Sequence, residues 1–237
     1  MSNDYEVSVV IPTYNEAGGV ERLIAALTDV FAKAGISGEI VIVDDNSPDG
    51  TGALVDGLAG KYPVRCVHRA GKLGLSSAVI DGWATCKSPI LGVMDADFSH
   101  DPAIVPELVG SIKRGECQLA IGSRYVPGGG ITNWPWRRRI TSSVAISLAR
   151  PLTPVRDITS GYLFCKREVI DGVALDPIGF KIGLEVIVKG KYQKAKEVPY
   201  VFTDRTHGSS KLNGGEIFNY LKQLRKIYFG GQAVRHR

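Results

Sequence analysis

The hydrophobic pattern of residues 1–123 alternates between short apolar runs and amphipathic stretches. The apolar runs, rich in β-branched residues, predict buried β-strands at residues 6–12, 39–43, 64–68, 89–94 and 118–122. Between them, apolar residues recur at helical spacing, as in 20–33, where Leu23, Leu27 and Phe31 share one face. Strands that alternate with helices predict an α/β fold with a parallel sheet and right-handed crossovers.

The pattern changes after residue 123. A glycine-rich link at 127–130 precedes a helix of small and apolar residues at about 140–148, and residues 157–165 return to the sheet. Further helices are expected near 167–173 and 180–190, then a strand at 195–201. The last helix, at about 215–228, is basic and amphipathic, with Ile217, Leu221, Leu224 and Tyr228 expected on one side. We predict a single domain spanning residues 1–237, with an interfacial segment at 131–150 and a C-terminal amphipathic helix at 212–230.

Two carboxylates one residue apart follow the strand at 89–94. Asp95 and Asp97 lie at its C-terminal edge, where open α/β sheets place their ligands. Carboxylates this close repel unless a positive charge lies between them, and a hard divalent cation holding substrate phosphates meets that need. The alternative is an ordinary turn, because aspartate is common where strands end.

Cysteine usage favours an intracellular protein, and the uneven charge suggests a metal site next to an anion-binding or membrane-facing surface. Residues 1–110 contain 7 Lys and Arg against 15 Asp and Glu, a net charge of −8, whereas residues 111–237 contain 22 against 9, a net charge of +13. Four cysteines without a C-x-x-C pair suggest reduced thiols in a cytosolic setting. We expect no signal peptide, because the chain enters a strand-like run within a few residues, and no transmembrane helix, because no apolar run approaches eighteen residues.

Two tryptophans adjoin three arginines at residues 134–139. Trp beside Arg suits a membrane–water interface or bound phosphates. The other interpretation is a solvated basic loop with its tryptophans in the core. Neither G-x-G-x-x-G after the first strand nor G-x-x-x-x-G-K-[ST] anywhere is present, which argues against a dinucleotide dehydrogenase and a P-loop ATPase.

Seven motifs, in order along nearly the whole chain, resemble those of the polyprenol-phosphate (dolichol-phosphate) mannosyltransferases, which are inverting glycosyltransferases of the GT-A fold. They are IPTYNE (11–16), VDDNSPDGT (43–51), GLSSAV (74–79), MDAD (94–97), GSRY (122–125), NWP (133–135) and GSSKL (208–212). The resemblance implies a Rossmann-like three-layer α/β fold with a mainly parallel sheet and amphipathic interfacial helices.

The resemblance also implies roles for particular residues. The nucleotide sugar would be bound by Pro12, Tyr14, Glu16, Val43, Asp45, Asp95, Ala96, Asp97, Arg205 and Lys211. Asp95 and Asp97 would hold Mg²⁺ or Mn²⁺, with Ser99 as a further ligand where close relatives often have the longer Gln. The acceptor phosphate would be bound by Arg124, Arg138 and Ser142, and Asp97, Arg124, Arg138 and Arg205 would carry the chemistry. The four histidines are expected at the surface or behind the site.

The implied reaction transfers mannose from GDP-mannose to a polyprenyl (dolichyl) phosphate, with inversion at the anomeric carbon. The implied location is the cytoplasmic face of a membrane, in peripheral contact and without nucleic acid; some relatives are held there by a small membrane subunit. Three alternatives stay open at this point: a same-fold transferase that uses UDP-glucose or a non-lipid acceptor, a non-catalytic nucleotide-sugar-binding subunit, and, less favoured, a Rossmann oxidoreductase.

Overall fold

The computed structural model describes residues 4–132, 136–179, 181–203 and 214–229, and for residues 137–139, 216 and 217 it describes the backbone alone. Its strands are β1 Val7–Thr13, β2 Gly38–Asp44, β3 Val64–His68, β4 Ile90–Val93, β5 Leu119–Ser123, β6 Gly130–Thr132, β7 Leu163–Lys166, β8 Ala195–Pro199 and β9 Val201–Thr203. Its helices are α1 Val20–Ala34, α2 Thr51–Leu58, α3 Leu75–Thr85, α4 Val105–Lys113, α5 Trp136–Ala149, α6 Ile182–Lys189 and α7 Gly214–Phe229, with short 3₁₀ turns at Pro102–Ile104, Arg150–Leu152 and Arg167–Val169.

Seven strands form one sheet in the order β3-β2-β1-β4-β7-β5-β8. All its pairings are parallel except those of β7, which runs antiparallel between β4 and β5. The predicted α/β fold with a mainly parallel sheet is therefore confirmed. The helix predicted at 167–173 is wrong, because only a 3₁₀ turn forms there, and the predicted strand 195–201 is divided into β8 and β9.

The sheet has apolar cores on both of its faces. One core joins α1 and α4 to residues of β1 and β2 such as Val9 and Ile42, and the other joins α3 and α6 to residues such as Val10 and Val43. Neighbouring residues of β1 and β2 therefore point into opposite cores, as the pleat requires. Because both faces are covered, the loops at the strand ends are left to carry chemistry.

The topology selects one position along the carboxyl edge of the sheet. After β3 the chain returns past β1 and adds β4 on its other side, so that the strand order reverses between β1 and β4. In open α/β sheets the crevice beyond such a reversal is where ligands bind. The loops that follow β1 and β4 carry the motifs at 11–16 and 94–97.

Helices α5 and α7 pack together and expose apolar side chains. The hydroxyls of Tyr220 and Tyr228 on α7 donate to the backbone carbonyls of Ala145 and Leu148 on α5, at 2.6 and 2.7 Å. The large apolar side chains that stay exposed on the pair are Trp136, Ile140, Val144, Leu148, Phe218, Leu221, Tyr228 and Phe229. Those of α5 recur every four residues and therefore form one stripe along the helix.

The predicted side of α7 is only partly buried. Positions 217, 221, 224 and 228 recur at helical spacing in the observed helix and so share one side. Leu224 is buried with Tyr220 and Ile227, whereas Leu221 and Tyr228 are exposed; the side chain of Ile217 lies outside the described residues. No helix in the described part of the chain is long and apolar enough to cross a bilayer.

Candidate active site

Three loops at the carboxyl edge of the sheet hold non-glycine residues in the left-handed backbone region. Asn15 follows β1 with φ 60°, Asn46 follows β2 with φ 55°, and Phe98 follows β4 with φ 60°. Within the described ranges these are the non-glycine residues with positive φ. A bulky residue such as Phe98 rarely adopts this conformation, and strained backbone of this kind concentrates at functional sites. The residues with positive φ therefore lie at the same carboxyl edge of the sheet where the strand order reverses.

The loops after β1 and β2 are joined by three consecutive backbone amides. The N–H groups of residues 15–17 each donate a 3.0 Å hydrogen bond to a side chain of the second loop, namely Ser47, Thr51 and Asp49. Gly50 is the N-cap of α2, and the hydroxyl of Thr51, the first residue of the helix, accepts from Glu16 and donates to Asp49. The two loops consequently form one rigid rim.

Pro12, Tyr14 and Glu16, predicted to line the nucleotide pocket, lie on this rim and are partly or fully accessible. The ammonium group of Lys72, from the loop after β3, lies 3.9 Å from the centre of the Tyr14 ring. Sequence reasoning missed Lys72, although its place between β3 and α3 puts it at the same edge. Tyr14 and Lys72 together present an aromatic face and a cation at the mouth of the crevice.

Asp45, predicted near the ribose, is buried in an ion pair. One of its carboxylate oxygens accepts from Nη1 of Arg69 at 2.6 Å, and the other accepts from the backbone N–H of Gly74 at 2.9 Å. Val43, its companion in the prediction, is fully buried in β2. Arg69 was not predicted, because a pairing of residues 24 positions apart leaves no local signal. The nucleotide-binding roles of Val43 and Asp45 stay predictions, and the observed role of Asp45 is to fix the loop before α3.

The loop after β4 brings Asp95 and Asp97 to the crevice. The side chain of Asp95 is 32% exposed, and Ala96 between them is buried. Ser99, predicted as a further metal ligand, donates both its N–H and its hydroxyl to Oδ1 of Asp97, at 3.0 and 2.6 Å. In the observed geometry Ser99 therefore orients Asp97.

His100 lies directly behind the acidic pair. Its Nδ1 accepts a 2.9 Å hydrogen bond from the backbone N–H of Asp95, and its ring stacks on Tyr162 with centroids 4.7 Å apart. Burial lowers the pKa of His100, although Asp95 and Asp97 oppose that effect. The expected placement of this histidine behind the site agrees with the structure, but its contact with Asp95 was not predicted.

Arg124, predicted to bind the acceptor phosphate, is held by a buried carboxylate. Its Nε and Nη2 donate to the two oxygens of Asp157 at 2.8 and 2.7 Å, and Nη2 also donates to Thr159. Burial disfavours the charged guanidinium, but the hydrogen bonds and charge of Asp157 raise the pKa of Arg124 above its usual value. Arg124 is therefore a fixed, permanent cation.

The Arg124 loop lies next to both the acidic pair and helix α5. The ring of Phe202 lies 5.6 Å from the Arg124 guanidinium carbon and 6.4 Å from the His100 ring, so it joins the two groups. On the other side, the hydroxyls of Tyr125 and Ser142 are 2.9 Å apart. Ser142 is thereby brought to the loop that carries Arg124, and its role in acceptor binding stays a prediction.

Several predicted residues lie outside the described part of the chain. They are Arg205, Lys211, Trp134 and the side chain of Arg138. Their roles stay predictions.

The fold defines a class of protein. An α/β fold with a mainly parallel sheet of this strand order is the fold of the GT-A glycosyltransferases. Solved structures share the fold. Glucosyl-3-phosphoglycerate synthase from Mycobacterium tuberculosis, solved with Mn²⁺, UDP and glucosyl-3-phosphoglycerate, aligns with a TM-score of 0.68 at 22% identity, covering 95% of this chain and 79% of that one. The mannosyltransferase PcManGT from Pyrobaculum calidifontis, solved with GDP-Man and Mn²⁺, aligns with a TM-score of 0.64 at 18% identity, covering 98% and 67%.

Sequence comparison identifies the family. The model of glycosyl transferase family 2 matches residues 8–173, and the chain belongs to this family. Dolichol-phosphate mannosyltransferase from Pyrococcus furiosus is 45% identical over 226 residues, which cover 94% of this chain and 63% of that protein. The protein of the same name from Saccharomyces cerevisiae is 39% identical over 237 residues, covering 94% and 87%. The predicted resemblance is confirmed.

Proposed function

We propose that the protein transfers mannose from GDP-mannose to a polyprenyl (dolichyl) phosphate, with inversion at the anomeric carbon and a requirement for a divalent cation. The observation that carries this proposal is that Phe202 joins a fixed cation, Arg124, to the loop of Asp95 and Asp97. One edge of the sheet thus offers oxygen ligands for a metal-bound diphosphate beside a cation for a second phosphate. The names of the relatives at 45% and 39% identity supply the sugar and the acceptor.

The residues present fit Mg²⁺ or Mn²⁺. Asp95 and Asp97 supply carboxylate oxygens, the ligand type that these hard cations prefer, and the Asp95 side chain is open to the crevice. The hydroxyl of Ser99 is engaged with Asp97, so it would reach the ion only through water. When bound, the cation would neutralise the diphosphate and stabilise it as a leaving group. Solved structures of the same fold are described with Mn²⁺ or Mg²⁺.

The donor would be bound by the rim and the acidic loop. Pro12, Tyr14 and Glu16 would contact the nucleotide, Val43 and Asp45 would shape its base and ribose pocket from within, and the segment 95–97 would face the diphosphate and sugar. Arg205 and Lys211 would close on the donor from the segment after β9.

The acceptor phosphate would be bound by Arg124, Arg138 and Ser142. A phosphate monoester has a second pKa of about 6 and is already largely ionised near neutral pH, so the nucleophile needs no general base. The task of the protein is to align two anionic substrates and offset their repulsion. Arg124 suits this task because Asp157 fixes the plane of its guanidinium before any ligand arrives.

We further propose peripheral attachment to the cytoplasmic face of a membrane through the apolar side chains of α5 and α7. The exposed Trp136, Ile140, Val144 and Leu148 would insert between lipid headgroups, and basic residues such as Lys222 and Arg225 would meet anionic lipids. The chain would act as one catalytic domain with segments 131–150 and 212–230 at the interface. A small membrane subunit would be an additional anchor.

The competing donor is UDP-glucose, and the neighbour solved with UDP, at 22% identity, gives it a specific basis. Two parallel titrations separate the GDP-linked donor from the UDP-linked donor. GDP and UDP are each added to the protein in the presence of Mn²⁺, and binding is followed as a rise in the temperature of thermal unfolding. The proposal expects stabilisation by GDP at concentrations at least tenfold lower than by UDP. The reverse order would favour the UDP-linked donor.

A further inference from the structure

Two short polar ties hold the strained loop that carries the acidic pair. Phe98 sits in the left-handed region at φ 60°, a conformation that persists only where the surroundings over-determine it. Both ties bridge Phe98: Asp97 accepts from Ser99, and His100 accepts from the backbone N–H of Asp95. The second tie closes the whole loop, because it links the residue before the turn to the residue after it.

The hydrogen bond fixes the tautomer of His100. The backbone N–H of Asp95 is necessarily the donor, so Nδ1 carries no proton. A ring whose Nδ1 accepts a hydrogen bond carries its proton on Nε2, which lies 3.9 Å from Oδ2 of Asp95. That distance is too long for a hydrogen bond, but it places the N–H dipole toward the carboxylate. One ring therefore acts on both the backbone and the side chain of Asp95.

Aromatic neighbours fix the plane of the imidazole. Tyr162 stacks on it with an interplanar angle of 8°, and its hydroxyl donates to the backbone carbonyl of Asp101 at 2.8 Å. The rings of Tyr200 and Phe202 meet it edge-on, with centroids 5.9 and 6.4 Å away. His100 is buried, so rotation of its ring would require displacement of this cluster.

We propose that His100 is a positioning residue that holds Asp95 in the geometry needed to bind the divalent cation. This inference rests on the proposed function, since it presumes that Asp95 and Asp97 are the metal ligands. Residues that orient metal ligands from behind change metal affinity by about 10–100-fold when they are replaced. His100 is expected to act at that level, without touching metal or substrate.

Two substitutions separate the hydrogen bond from the packing of the ring. His100→Asn keeps an acceptor oxygen near the position of Nδ1 and loses the stacked ring, whereas His100→Phe keeps a stacked ring and loses the acceptor. Tyr200→Phe is the matched control, because among the described residues nothing hydrogen-bonds to the Tyr200 hydroxyl. The measurement is the Kd of Mn²⁺, with and without saturating GDP, by electron paramagnetic resonance of the free ion.

We expect His100→Phe to weaken Mn²⁺ binding about tenfold or more, while His100→Asn and Tyr200→Phe keep the parent's affinity more closely. If a folded His100→Phe variant binds Mn²⁺ as the parent does, the inference is wrong and the metal site stands. If the parent binds no Mn²⁺ with or without GDP, both the proposed metal site and the role of His100 are wrong.

A second measurement needs no variant and covers the case in which His100→Phe fails to fold. In protein labelled with ¹⁵N-histidine, Mg²⁺ is titrated in the presence of GDP and the ring signals are followed by nuclear magnetic resonance. The His100 signals should shift on Mg²⁺ addition, because the ring contacts Asp95. An unmoved His100 signal in protein that binds Mg²⁺ would contradict the inference.

Discussion

The guanidinium of Arg124 and the carboxylate of Asp157 form a bidentate ion pair, with N–O distances of 2.8 and 2.7 Å. The backbone N–H of Arg124 donates to the same carboxylate, which is completely buried at the start of the segment leading into β7. The backbone N–H of Asp157 in turn donates a hydrogen bond to the carboxylate of Glu197 on β8, which fixes the position of Asp157. Strands β5, β7 and β8 thus cooperate to place one cation at the edge of the sheet.

Loss of the carboxylate should therefore destabilise the fold. Asp157→Asn leaves the buried guanidinium without its counter-charge, and breaking a buried pair in this way costs about 3–5 kcal/mol. Glu21→Gln is the control, because the Glu21–Lys61 pair is exposed and screened by solvent, so its loss should change stability little. The free energy of unfolding from urea denaturation measures both. Equal, small losses for the two variants would contradict the structural role given to Asp157.

Asp97→Ala should abolish sugar transfer while the protein still folds. The side chain is half-buried at the loop, so its removal withdraws a proposed metal ligand without opening the core. Asp56→Ala, which removes an exposed carboxylate of α2, should keep activity. The assay is transfer with Mn²⁺ or Mg²⁺ and in EDTA, alongside circular dichroism. Full turnover by metal-free parent protein would rule out the metal requirement.

Arg138→Ala should impair use of the lipid phosphate more than use of the nucleotide sugar. A hydrogen bond to a charged group is worth about 1.5–3 kcal/mol, which corresponds to a rise of about tenfold or more in the acceptor KM. The control is Arg114→Ala. Arg114 is exposed and pairs with Glu107 on α4 and with Glu116, which follows that helix. Steady-state kinetics with each substrate varied decide the matter; a raised donor KM with an unchanged acceptor KM would reverse the assignment.

Binding to anionic liposomes should weaken at high salt but not vanish. The basic groups of α7 are screened within about 8 Å at physiological salt, whereas insertion of apolar side chains is not screened. Trp136→Ala combined with Ile140→Ala should remove much of the salt-resistant part, since Trp136 is 66% exposed on the stripe. Leu73→Ala, at an exposed leucine in the loop before α3, is the control in co-sedimentation. Parent protein that stays in the supernatant at low salt would contradict the interfacial role.

Local patterns predicted much of the fold. Strands β1 to β5 and helices α1 to α4 follow from apolar periodicity, and α1 ends within one residue of the predicted 20–33. The strand order was not predictable in full, because the insertion of β7 between β4 and β5 is decided by packing over long separations. The observed helix α5 begins one turn before the predicted start, at Trp136, whose exposure also excludes the expectation of that tryptophan in the core.

The sequence predicted which side chains form the candidate site, but not the residues that hold those side chains in place. Motif positions gave the acidic pair and the arginine after β5, since each directly follows a strand. The partners that fix them, such as Arg69 for Asp45 and Asp157 for Arg124, lie 24 and 33 residues away and carry no sequence signal. The same holds for the contact of His100 with the backbone of Asp95, which depends on the unusual φ of Phe98.

The central claim is tested most directly by transfer of labelled sugar to a short-chain polyprenyl phosphate. The parent protein is incubated with Mn²⁺, the lipid phosphate and, separately, GDP-mannose, GDP-glucose, UDP-glucose or UDP-galactose, and the lipid product is analysed by nuclear magnetic resonance. The account predicts a product from GDP-mannose alone, with a β-linked mannosyl phosphate and none in EDTA. A product from UDP-glucose with none from GDP-mannose, or an α-linked product, would contradict it.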